Sequence, residues 1–323
     1  MCVFLVSLPL RYRIARLTGD ESVQRPAIAD HPRTIACAQL IEQGVENLPF
    51  HGFDSLESIL KIFGEHGIDR NDPYYQMVYR QVESLNQSKP QLYRGLTKPG
   101  LILDELRAGG AMLIRAAILA RAGVEDEAAI KNEIAEALDL FIGLVAIKHK
   151  DELVMPYKNK FIVRSGVFLP SYYHLVILAY TQSWRSWENI TQVRQAVTNL
   201  CRLALPHTLI KFGSQLVAPA SLNERHWMSP REIHYDSEKA MWIERIILLL
   251  RAGIAGEALL KIIEGFAPSI PGQWAKDIRN SHFFLKWGAY SGVALEPDWK
   301  SRERKQIDLW FRQRQIDLLL GKG

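Results

Sequence analysis

Twice this sequence writes the same phrase: an apolar run closed by Arg-Ala-Gly and then an amphipathic run. It stands first at Ala111–Phe141 (AMLIRAAILARAGVEDEAAIKNEIAEALDLF) and again at Ala240–Phe266 (AMWIERIILLLRAGIAGEALLKIIEGF). Glycine directly after an apolar helical run is a helix C-terminal signal, because it takes the left-handed conformation at little steric cost. Two helices joined by so short a break lie antiparallel, as a helical hairpin.

The rest of the chain repeats the pattern in weaker form. Thr34–Gln43 predicts a helix ended by Gly44, and SLESILKIFGEHG one that is capped at Asp54 or Ser55 and stops at Gly67. Tyr74–Leu85 places Tyr75, Val78, Tyr79 and Val82 at helical spacing. Asn86–Gly100 reads as a connector; further helices are expected at YYHLVILAYTQ, Asn189–Leu203, Ser281–Leu295 and Arg302–Leu320. Pro206–Pro230 is the longest irregular stretch and the expected place for a functional loop. A short β excursion is expected at Lys160–Arg164.

The breaks at Gly67, Gly123, Trp184 and Gly253 recur at intervals of roughly 55–70 residues, longer than the ~33–47 of ordinary solenoid units. Each hairpin must bury one face against its neighbours. The expectation is an all-α fold, with an N-terminal segment over 1–33 and a single domain of helical hairpins over 34–323. Those hairpins either close into an α/α toroid or curve as an α-superhelix.

Composition narrows the partners. Forty Lys and Arg against 35 Asp and Glu give a net charge of +5, which permits a polyanion without demanding one. Cys2, Cys37 and Cys201 are too few for a disulfide framework and fit a reducing compartment, so a cytoplasmic location is expected. Met1–Leu10 is apolar but lacks the preceding basic residues of a secretory signal. No uncharged apolar run reaches the ~18 residues that span a bilayer.

The hairpin pattern, together with HFFLKWGAYSGVALEPDW (His282–Trp299) and TIACAQLIEQG, resembles the α/α-toroid prenyltransferases and terpene cyclases. The resemblance covers most of the chain from about residue 34 and is one of pattern. It implies inner helices ringed by outer ones, with a cavity at one end lined mainly by aromatics and a few acids. The catalytic motifs of the family are missing: there is no D-x-D-D, and Cys37 and Cys201 have no clustered partners for a zinc. No cofactor and no metal is expected, and neither a P-loop nor G-x-G-x-x-G occurs.

Basic residues gather at Lys148–Arg164, with Lys158, Lys160 and Arg164, and in the tail with Arg304, Arg312 and Arg314 around Trp310 and Phe311. Arginine and lysine interleaved with aromatics suit a surface that tracks phosphates and stacks bases, although a solvated helix face gives the same pattern. Excising a base needs a carboxylate and an apolar or aromatic pocket for the displaced base. Candidate catalytic groups are Asp104 and Glu105, placed near a helix start, Glu244, and His174. Tyr172, Tyr173, Trp227, Tyr235 and Trp242 are pocket candidates. For each the plainer role is packing, a helix-dipole charge or an ion pair. Glu244 and Arg245 interrupt an apolar helix, so they must satisfy each other or face a cavity. His226, Trp227, His234, Tyr235 and Asp236 crowd one segment, and His51 stands near Asp54.

Three functions follow as expectations. The first is a nucleic-acid-acting protein with DNA as partner, most concretely a DNA glycosylase in repair or antiviral defence. The second is an isoprenoid-type protein that binds or cyclises an apolar small molecule. The third is a non-enzymatic helical scaffold.

Overall fold

The computed structural model describes residues 6–85, 96–106, 108–278 and 290–322. These divide into two compact units: the first holds residues 6–85, 234–244, 264–278 and 290–322, and the second 96–106, 108–233 and 245–263.

The first unit opens with α1 (Leu8–Thr18), capped by the Ser7 hydroxyl, and α2 (Pro32–Glu42). Next come α3 (Leu56–His66) and α4 (Pro73–Ser84). Ser55 accepts from Ser58 N at the start of α3 and Gly67, at φ 81°, ends it, as the sequence predicts. The unit also includes α12, a single turn at Ala275–Asp277 that follows a π-helical turn, and α13 (Arg302–Leu319). Leu10, Leu295 and Phe311 form one apolar cluster. Trp242, Phe266 and Trp274 form another, with ring centroids 5.1–5.6 Å apart in edge-to-face contacts.

The second unit contains α5 (Thr97–Glu105), α6 (Ala111–Arg121) and α7 (Ala128–Gly143), then α8 (Tyr172–Tyr180) and α9 (Trp187–Leu203). The first predicted hairpin is α6 and α7 around Gly123; the second is α10 (Asp236–Ala252) and α11 (Glu257–Phe266) around Gly253. Helices α10 and α11 each contribute residues to both units.

The all-α expectation is overturned here. Four strands, β1 (Val154–Tyr157), β2 (Lys160–Val163), β3 (Thr208–Phe212) and β4 (Gln215–Val217), form one mixed sheet in the order β1-β2-β3-β4. The outer pairs are antiparallel hairpins, and β2 and β3 pair in parallel through Phe161↔Thr208 and Ile162↔Leu209. Neither a toroid nor an all-helical superhelix describes this chain. The physical reason is that Pro206–Pro230 spends its first half in β3 and β4, and the predicted excursion at 160–164 recruits it through a ladder that no local pattern announces.

Smaller corrections come from the same source. Pro99 and Gly100 lie inside the first turns of α5, so Asp104 and Glu105 end a helix instead of starting one. Residues 290–295 are not helical, and 281–289 lie outside the described residues. No described helix is long and apolar enough to cross a membrane.

Candidate functional site

A cavity of about 690 Å³ opens in the second unit. Three stretches supply most of its wall. The sheet gives Met155, Tyr157, Ile162, Thr208 and Ile210; the link from β2 to α8 gives residues 164–171; and the segment after β4 gives residues 219–222 and Glu224. Buried residues such as Ala108, Ile162, Leu200, Leu205 and Leu222 form the interior, whereas Phe168, 47% exposed, lies at the mouth with Arg164 and Lys211. The lining is mainly aliphatic, with Tyr157 and Phe168 as its aromatics, so it differs from the aromatic-walled cavity that the toroid resemblance implies.

One acid lines this space. Glu224 opens a 3₁₀ turn (Glu224–His226) and is 8% exposed. Burial pushes its carboxyl up to about 7, against the opposing pull of its own backbone amide and of Arg225 and Arg245. Among the described residues it has neither an ion pair nor a hydrogen-bonded side-chain partner. The loop beneath it is fixed: Asn223 adopts φ 54°, Asn223 N donates to Ser221 Oγ at 3.0 Å, and Arg245 Nη2 donates to Ser221 O at 2.8 Å. Ala220 O accepts from Tyr172 N at 2.8 Å, which ties the same loop to the start of α8.

Ser171 also lines the cavity, and its Oγ lies 2.9 Å from His174 Nδ1. This contact is a helix cap and not a nucleophile–base pair. Nδ1 already accepts from Ser171 N at 2.9 Å, and burial lowers the imidazole to about 3, too weak to take a proton near neutrality. Cys201 offers no thiolate either: burial first, then Glu224, pushes its thiol up to about 12.

The residues singled out from sequence are dispersed. Asp104 Oδ1 accepts from Met112 N at 3.3 Å in the first turn of α6, a favourable place for negative charge, and Glu105 is exposed. Glu244 pairs with Lys61 at 3.2 Å in the first unit. The adjacent Arg245 belongs to the second unit, where its guanidinium lies 4.8 Å from the centroid of the Tyr172 ring. Tyr172 OH accepts from Arg121 Nη2 at 2.7 Å, and Tyr172 and Tyr173 pack edge to face at 5.1 Å. Trp227 is fully buried, Trp242 belongs to the aromatic cluster of the first unit, and Tyr235 is 71% exposed.

The basic candidates divide in the same way. Lys158 and Lys160 are exposed around the β1–β2 turn, and Arg164, also exposed, is the one candidate of the whole set that lines the cavity. In the tail, Arg304 pairs with Asp298 and Glu296, and Arg314 lies 3.8 Å from Asp317. Arg312 is 2% exposed and binds Glu65 at 2.8 Å. Glu224, Ser171 and Lys211 were not singled out; the one available signal for Glu224 was its place in the proline-rich irregular stretch.

Compared with family models, curated proteins and solved structures, the chain matches none. Any functional reading therefore rests on the site.

Proposed function

We propose that the second unit binds an apolar small molecule in the cavity between the sheet and the link that leads to α8. The observation that carries this reading is an aliphatic cavity of about 690 Å³, within the ~300–1,000 Å³ typical of small-molecule sites. A single displaced nucleobase would leave most of that space unfilled. Nucleic acid retains the exposed cluster of Lys158, Lys160 and Arg164 in its favour, but the tail arginines are engaged with carboxylates. Phosphate contacts supply most of the affinity for nucleic acid, so that engagement weakens the alternative.

The test is uptake of Nile red, a neutral apolar dye whose emission rises when it leaves water. Saturable binding is expected, and Met155→Trp, which narrows the mouth from a position 36% exposed, should weaken it. Salt-dependent retention of duplex DNA with no uptake of dye would overturn the reading and return the choice to nucleic acid.

A further inference from the structure

We infer that Glu224 anchors a hydroxyl group of the ligand inside this cavity. The inference rests on the small-molecule reading above and specifies the chemistry of the ligand. An apolar cavity needs few polar groups to orient what it holds, and each one present acts as a selector. Glu224 is such a group: it lines the cavity, is more than nine-tenths buried, and has hydrogen-bonding capacity that no neighbouring side chain uses among the described residues. Its own backbone amide bonds the carboxyl, and the cavity it lines is where a further partner would reach it.

The surroundings choose among ligand groups. A carboxylate or phosphate next to Glu224 would place a second acid against one that is already buried. An amine would meet Arg225 and Arg245, whose charges already act on Glu224, after passing Arg164 and Lys211 on the cavity wall. A hydroxyl meets neither obstacle. It both donates and accepts, so it satisfies the acid in its neutral form and in its charged form. That versatility matters for a carboxyl that burial holds near 7, where both forms are populated at neutral pH. The fixed Ser221–Asn223 loop holds the carboxyl in place before the ligand arrives, which reduces the ordering cost of binding.

Displacement of Nile red at pH 9, where Glu224 is charged and an ether has no hydrogen to offer it, by 1-dodecanol, its methyl ether 1-methoxydodecane, and dodecylamine tests the inference. Wild type should prefer the alcohol to the ether by about tenfold, the worth of one hydrogen bond to a buried acid. In Glu224→Leu the dye should still bind while alcohol and ether become equal; Glu224→Gln, whose amide still donates and accepts, should keep most of the preference. Circular dichroism confirms that each variant is folded, and wild-type discrimination stands as a measurement independent of any variant. Equal binding of alcohol and ether by wild type, or strongest binding of the amine, overturns the anchor while leaving the cavity reading intact. Failure of wild type to bind Nile red removes the cavity reading, and the anchor with it.

Discussion

Lys61 and Glu244, 183 positions apart in sequence, meet at 3.2 Å with side chains only 4% and 6% exposed. A buried pair of this kind is costly to break but often replaceable as a unit. Lys61→Met should therefore destabilise the protein by about 3–5 kcal/mol, because the buried Glu244 loses this ion pair. The double variant Lys61→Met with Glu244→Leu should recover most of that loss. Urea denaturation of the three proteins measures both effects; a double variant no more stable than the single one would show that the pair has no such coupling.

The tail arginines should separate sharply by burial. Arg312 donates to Glu65 and to Val293 O and lies within electrostatic reach of Asp308, so Arg312→Leu should cost about 3–5 kcal/mol. Arg304→Ala and Arg314→Ala remove partly exposed ion pairs and should each cost less than about 1 kcal/mol. Thermal melts of the three variants rank them directly.

Glu224 should leave a signature in the pH dependence of stability. Its folded carboxyl titrates near 7, above the usual value of 4.5, so the folded state holds a proton that the unfolded state releases. This contribution is fully present below about pH 4.5 and is lost as pH rises through about 7. Glu224→Gln removes the dependence. Relative to wild type it should gain stability between pH 5 and pH 8, by about 1–3 kcal/mol at the upper end. The comparison is made between the two proteins at each pH, so groups common to both cancel.

The β1–β2 turn is held by Lys158 at φ 56°, a left-handed conformation that a side chain with a β-carbon adopts reluctantly. Lys158→Gly should raise stability by about 1 kcal/mol, since glycine enters that region without the steric penalty. A fall in melting temperature would mean that the contact of Lys158 with the Tyr157 ring, at 5.7 Å, outweighs the strain.

Helices were legible because their signals are local. Ser55 and Gly67 bound α3, and Gly123 and Gly253 mark the turns of the two hairpins, each through a backbone preference confined to a few residues. Of the sheet, β2 alone was legible, as the excursion expected at Lys160–Arg164. Its strands are three to five residues long, and the pairing of Ile162 with Leu209 joins segments that are distant in sequence. Glu244 and Arg245 were recognised as needing partners, but each finds a different one, Lys61 for the first and Ser221 O with the Tyr172 ring for the second. Beyond its place in the proline-rich irregular stretch Glu224 gave no signal, because a glutamate there looks solvated until tertiary packing encloses it.

The seam between β2 and β3 also sets an order of events. Two residue pairs join the hairpins, and α8 and α9 intervene in the chain between them. During synthesis the first hairpin emerges early and waits with an unpaired edge until Thr208 and Leu209 have left the ribosome. Contacts between distant segments carry a loop-closure penalty and tend to form slowly. The cavity, walled by both hairpins, is thus completed only once that seam has closed, so every group that lines it depends on a contact the chain makes late.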